Sequence, residues 1–225
     1  EHGCHVFLEK PMCPTLAQAD EMIAAFEKRG LKPAIAHQTR YSPTLEHVQK
    51  LIADGRFGDI LEMRGRGKED RRGGGEDLMV LGTHIMDLMR LFAGDAQWCF
   101  ARVSEGGKPV TKSEVRDGAE GIGPLAGDEI HAMYRFSGTV MGYFSTCRAR
   151  HGAATRFGLQ ILASKGILTM TTGALPQVAF VEDPSWQPGA SKALWHRITS
   201  AGIDKPETLS DAGQSLGNRL IALDL

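Results

Sequence analysis

The chain has 225 residues, 42% hydrophobic and 24% charged, with a formal net charge of −1, an ordinary balance that leaves no basic face for nucleic acid. Its four cysteines, Cys4, Cys13, Cys99 and Cys147, form no C-x-x-C pair, which argues against a zinc site or disulfide framework and for a reducing, cytoplasmic compartment. No apolar run approaches membrane-spanning length and no signal sequence is visible.

His5-Val6-Phe7-Leu8 reads as a short buried strand closed by Pro11. Thr15 can cap a following helix whose Leu16, Ala19, Met22, Ile23 and Phe26 keep helical spacing, and Gly30 ends it. Glu9 and Lys10 thus stand at the carboxyl end of a strand, the edge where open α/β sheets bind ligands. Spacing alone equally allows two charges that merely mark the strand leaving the core. "KPAIAHQ" is the next short strand, and "SPTLEHVQKLIADGRFGDI" opens a helix capped by Ser42 with Pro43 in its first turn. "ILEMRGR" reads as a strand and "GKEDRRGGGED" as a charged loop that lacks the pattern of a phosphate loop. "LMVLGTHIMDLMRLFAG" reads as one buried helix ended by Gly94.

The second half changes period. "QWCFARV" is a strand, followed by a Gly-rich loop over residues 104–127. "EIHAMYRFSGTVMGYFSTCRAR" alternates around a turn at Ser137-Gly138, and "RFGLQILASKGILTM" does so around Ser164-Lys165-Gly166. "QVAFVE" is one more strand, and residues 184–217 read as irregular with a short helix at most. The expected fold class is α/β plus α+β, a nucleotide-fold tail joined to an open, mostly antiparallel sheet with helices on one face. With no initiator Met and an apolar helix-like run "NRLIALDL" at its end, the chain reads as a piece of a longer protein.

Taken together, "EKP" after one strand, "AHQTRYSP" after the next and "GGGEDLMVLGTHIMDLMRLFAG" resemble the glucose-fructose oxidoreductase and inositol dehydrogenase family, Gfo/Idh/MocA. The resemblance implies that residues 1–36 end a Rossmann domain binding NAD or NADP, whose Gly-rich fingerprint precedes residue 1. It implies that residues 37–225 form a substrate and oligomerisation domain, truncated at its carboxyl end, with a homo-oligomer built through the open sheet face. It further implies that Lys10 projects at the nicotinamide and the reacting hydroxyl, with Glu9 and Pro11 beside the cofactor. Gln38, Arg40 and Tyr41 then face cofactor or substrate, although Arg40 and Tyr41 fit equally well as packing at the domain junction.

His84 is the second proton-handling candidate, and Asp87, three residues on along the same helix face, can orient its imidazole. Family dehydrogenases carry an Asp four residues before this His, where this chain has Val80. Asp77, seven residues before His84 and about 10 Å along a regular helix axis, is too far to replace it without a shift of register. Arg64, Arg66 and Arg71, in a charged cluster before the glycine run, are candidate ligands for an anionic or polyhydroxylated substrate, although solvated loop charge is the default for such a run. His131 and His151 have no partner at metal-ligand spacing, and no metal is expected. The function implied is hydride transfer between NAD(P) and a hydroxyl of a sugar, cyclitol or sugar acid. A glycoside hydrolase working by transient oxidation and a non-catalytic nucleotide or sugar sensor are the alternatives.

Overall fold

The computed structural model describes residues 3–149, 157–185, 191–211 and 215–222, so His151 lies outside the described residues. β1 (Val6–Leu8) pairs in parallel with β2 (Pro33–Ile35), Val6 opposite Pro33 and Leu8 opposite Ile35. α1 (Leu16–Glu27) connects them, capped by Thr15, whose hydroxyl oxygen accepts from the Gln18 amide at 3.3 Å. The apolar positions of α1 are where the periodicity puts them, yet no α1 residue is buried, and Leu16 is 85% exposed. An apolar stripe needs a facing element to bury it, and none among the described residues does so.

After a 3-10 turn at Gln38–Tyr41, α2 (Pro43–Ala53) starts as expected, with Ser42 Oγ accepting from the Thr44 amide at 3.2 Å and Pro43 in the first turn. β3 (Ile60–Arg66) follows, then the glycine run. A Cβ on Gly73 would stand 2.2 Å from the Arg148 Cα, and one on Gly74, at φ +88°, 2.3 Å from the Gly127 carbonyl oxygen. The run therefore serves a close backbone crossing, which only glycine permits.

The helix expected from Leu78 is broken into two parts, a π turn at Leu78–Gly82 and then α4 (Thr83–Ala93), with Gly94 following at φ +73°, and one helical turn, α3 (Gly75–Asp77), precedes it at the end of the stretch expected as loop. Nothing in "LMVLG" separates a π turn from an α turn, because the two share apolar composition and differ by one residue of hydrogen-bond register.

The main sheet adds β4 (Trp98–Glu105), β5 (Lys108–Pro109), β8 (Glu129–Arg135), β9 (Met141–Cys147), β10 (Gly158–Ala163), β11 (Gly166–Thr171), β12 (Val178–Glu182), β13 (His196–Thr199) and β14 (Gly202–Ile203). β6 (Arg116–Asp117) and β7 (Pro124–Leu125) form a separate two-stranded ribbon. The order is β14-β13-β12-β11-β10-β3-β9-β8-β4-β5, ten strands, with β3 and β9 parallel and the other pairs antiparallel. Both expected hairpins are present. Two expectations of irregular chain need correction: residues 104–127 hold β5, β6 and β7, and residues 184–217 hold β13 and β14. Strands of two to four residues are too short to display an alternation.

One sheet face is covered by α2 and α4. Leu45, Val48, Ile85, Leu88 and Met89 interlock there with Met63, Phe144, Ile161 and Leu168, all fully buried or nearly so. Each such side chain contributes roughly 1.5–3 kcal/mol by leaving water. The other face is open, with Phe100 on β4 and Tyr143 on β9 exposed on either side of Met133 of β8. α5 (Ser215–Ala222) returns to β2, where Ile221 packs on Ala34 and Ala36. No helix among the described residues is long and apolar enough to cross a membrane.

Candidate active site

The carboxyl ends of the parallel strands β1 and β2 open into a cleft of about 360 Å³. Glu9 and Lys10 enter it from β1, and Ala36, Gln38 and Thr39 from β2. Leu81 and His84 close one wall, and Lys68, Phe157, Thr172 and Gly173 complete it. Buried Thr39 ties two walls together, its hydroxyl accepting from the Gly173 amide at 2.8 Å.

Lys10 crosses this cleft to donate from Nζ to the Val80 carbonyl oxygen at 2.8 Å. The acceptor lies within the π turn, whose Val80 side chain turns away into a small core with Ile122 and Leu125. With valine at the position where family dehydrogenases carry an Asp, it is the main-chain carbonyl of that residue that meets the lysine. Burial pulls the Lys10 ammonium below the usual lysine range; Glu9 and Glu120 oppose this, and Arg72 adds to it. Asp77 does not substitute for the missing acid despite the register shift. It is fully buried and faces the other way, accepting from the amides of Lys68 (3.3 Å) and Glu69 (3.2 Å) and from the Thr146 hydroxyl.

His84 meets His37, not Asp87. The two imidazoles stand edge to face at 90°, centroids 5.3 Å apart, and both Nδ1 atoms are buried without a hydrogen-bond partner. Asp87 is held by Arg40, whose Nε reaches both carboxylate oxygens at 3.0 Å and whose Nη2 reaches Oδ1 at 2.7 Å and the Asp87 carbonyl at 3.1 Å. A charge-assisted fork outcompetes an imidazole for the same oxygens, so the orienting role expected of Asp87 is replaced by a structural ion pair. Burial, then His37 and Lys10, push the His84 imidazole down to about 3, and burial also lowers His37.

These shifts have a measurable consequence. The unfolded chain takes up a proton near the ordinary histidine value of 6.5, while folded His84 resists one until about 3. Its contribution to stability is therefore full above 6.5 and is lost as pH falls toward 3. Between about pH 7.5 and about pH 4.5 the loss should be on the order of 2 kcal/mol. Thermal melts at the two pH values check it: His84→Gln is expected to shrink the difference, and an unchanged difference counts against a buried neutral imidazole.

The structure brings Glu9, Lys10, Gln38 and His84 to one cleft. Pro11 follows directly through a cis peptide. Arg40 is spent on Asp87, and Tyr41 packs against the cluster of Ala34, Ala36 and Ile221. Arg64 and Arg66 are not at the cleft. On β3 they alternate with Met63 and Gly65, which face the helices, so they project from the open face, bonded to Glu62 and to Glu69 respectively. There they border a separate cavity of about 790 Å³. Arg71 is exposed and lines neither cavity. His131 on the open face pairs with Glu129 at 3.0 Å. The sequence reading passed over His37, Thr39, Lys68, Phe157, Thr172 and Gly173. The signal for His37 was available, since it follows β2 as Lys10 follows β1, two residues past the strand end.

Residues 45–169 match the GFO/IDH/MocA C-terminal domain, and residues 1–37 match the oxidoreductase family with an NAD-binding Rossmann fold. Levoglucosan dehydrogenase of Pseudarthrobacter phenanthrenivorans is 25% identical over 209 residues, 81% of this chain and 54% of that protein. D-xylose dehydrogenase of Paenarthrobacter nicotinovorans is 36% identical over 63 residues, 28% of this chain and 16% of that protein. The crystal structure of an NAD binding oxidoreductase from Klebsiella pneumoniae superposes with a TM-score of 0.70 at 16% identity, covering 98% of this chain and 62% of that one. The chain thus spans about half the length of its levoglucosan dehydrogenase relative. With both domains of the family matched in chain order, the protein belongs to the Gfo/Idh/MocA oxidoreductases.

Proposed function

We propose that the whole protein oxidises a hydroxyl of a sugar, cyclitol or sugar acid, or runs the reverse reduction, with NAD or NADP. The observation that carries this reading is the meeting of Lys10 and His84 in a cleft at the carboxyl ends of two parallel strands. The residues present fit the nicotinamide end of such a cofactor. The strand ends offer Glu9, Gln38 and Thr39 as polar contacts, and His84 is a buried imidazole with an unpartnered nitrogen. When bound, the oxidised nicotinamide supplies the hydride acceptor.

Alcohol oxidation also requires the hydroxyl proton to leave as the hydride does. Lys10 Nζ, held by the Val80 carbonyl and pulled below its usual pKa by burial, is positioned to exchange that proton, and His84, kept neutral by its burial, offers the same oxygen a hydrogen-bond partner. Phe157 gives the cleft an apolar wall for the C–H face of a ring, and Lys68 gives it a cation that suits a sugar acid. The relatives named for levoglucosan and D-xylose support a carbohydrate substrate. Exposed Trp98, Phe100 and Tyr143 on the open sheet face support a homo-oligomer formed there, and four cysteines outside any disulfide support a reducing compartment.

The test is a panel of anhydrosugars, aldoses, cyclitols and uronic acids offered to the whole protein with NAD or NADP. Net appearance of reduced nicotinamide with at least one of them is expected. Sugar release without net cofactor change would mark the hydrolase, and cofactor binding without chemistry would mark the sensor.

A further inference from the structure

Two buried carboxylates take no part in the chemistry described so far. Asp77 is fully buried and Glu69 is 5% exposed. Both hold the short loop after β3, and that loop brings one side chain to the cleft, Lys68. The Gly67 amide donates to the Ser145 carbonyl at 3.0 Å. Asp77 accepts from the next two amides, Lys68 at 3.3 Å and Glu69 at 3.2 Å. A Cβ at position 67 would stand 2.1 Å from Asp77 Oδ2, so glycine there lets the carboxylate come close. Glu69 turns back into the protein, pairing with Arg66 at 2.9 Å and accepting from the Cys147 amide at 3.1 Å. It does so at φ +59°, a conformation that a residue with a Cβ keeps only where its surroundings impose it. Burying a carboxylate is costly unless every bond is supplied. Here two are withdrawn from water to fix the backbone on either side of one lysine.

The ammonium of that lysine has donors to spare. Asp70 lies 3.5 Å from Lys68 Nζ. Arg72 already donates to Asp70 from its amide at 2.9 Å, from Nε at 3.3 Å and from Nη2 at 3.0 Å. A carboxylate engaged by an arginine in this way holds a lysine at 3.5 Å only weakly. The other ammonium of the cleft, Lys10, is bonded to the Val80 carbonyl.

We propose that Lys68 is a specificity-determining residue that binds a carboxylate of the substrate, and that the substrate is a sugar acid rather than a neutral sugar or cyclitol. This rests on the proposed function and narrows its substrate class. Lys68 and Lys10 line one cleft of about 360 Å³. A ring held at one end by its carboxylate is thereby oriented with a hydroxyl toward the other. The fixed loop matters because a charge already in place costs little ordering when the ligand arrives.

The test compares D-glucuronate, D-galacturonate and D-mannuronate with D-glucose, D-galactose and D-mannose, which differ from them at C6 alone. With the whole wild-type protein and its cofactor, at least one uronate should exceed its parent hexose in kcat/KM by about 10-fold or more. That excess should shrink as salt is raised, because it rests on a partly exposed charge pair. Lys68→Met keeps most of the stem and removes the charge. It should lower the uronate-to-hexose ratio by about 10-fold or more, Lys68→Glu should lower it further, and Lys68→Arg should restore most of it. A ratio unmoved in Lys68→Met overturns the proposal, as does a wild-type protein that prefers a neutral sugar of the carbohydrate panel to all three uronates. Wild-type protein that oxidises nothing would defeat the proposed function instead. Calorimetry of the same six sugars with the cofactor present then decides the role of Lys68. Uronate binding that is tighter than hexose binding and weakened in Lys68→Met upholds it, and uronate binding that is absent or no tighter overturns it.

Discussion

Replacing Lys10 by Met is expected to cut turnover of the whole protein by about 10²-fold or more while leaving cofactor affinity within a few-fold. Methionine retains the length and apolar stem of the side chain and removes the ammonium alone. The folded structure loses one hydrogen bond to the Val80 carbonyl, a cost of roughly 1 kcal/mol, so the variant should remain folded. The chemistry loses more. Lys10 is the residue that joins the β1 strand end to the helical wall across the cleft, and burial has already made its proton easier to release. Steady-state rates beside cofactor titration make the test. Unchanged turnover on an identified substrate would reduce the Glu9-Lys10 pair to the mark of a strand leaving the core.

Val80→Asp is expected to destabilise the fold by roughly 3 kcal/mol or more. Restoring the family's acid by simple substitution is attractive on paper, but position 80 is only 1% exposed and its side chain packs on Ile122 and Leu125. A carboxylate there enters an apolar cluster, while Lys10 approaches from the carbonyl side. Thermal melts of Val80→Asp and the uncharged Val80→Asn separate the cost of charge from that of polarity, with Asp the lower-melting of the two. A Val80→Asp protein that melts like wild type and turns over faster would show that the side chain reaches the cleft after all.

The parts of this fold that were legible in the sequence carry strong local signals. Ser42-Pro43 at the start of α2, seven residues of β3 and the Ser137-Gly138 hairpin all combine a period with a cap or turn. β13 and β14 were hidden by their brevity, and the π turn by its ordinary composition. In the cleft, the strand ends bring Glu9, Lys10 and Gln38 and the helix brings His84; the strand end marked the first two in the sequence, while Gln38 and His84 stood out through the family resemblance. Spacing failed for Asp87 because it sees only neighbours on the same helix, whereas Arg40 arrives from 47 residues away with a bidentate fork. Arg64 and Arg66 were read as charge near a pocket; strand alternation, applied to Met63 and Gly65, sends them to the opposite face.

The most direct test of the Lys10–His84 cleft as a site of hydride transfer is isotopic. The whole protein is incubated with the oxidised cofactor and a perdeuterated sugar from the panel, and the cofactor is recovered and weighed by mass spectrometry. The account predicts deuterium carried on the nicotinamide ring in step with oxidised sugar formed, and loss of both in the Lys10→Met protein. Cofactor recovered oxidised and unlabelled while the sugar is cleaved, or no transfer with any sugar although the cofactor binds, would contradict it.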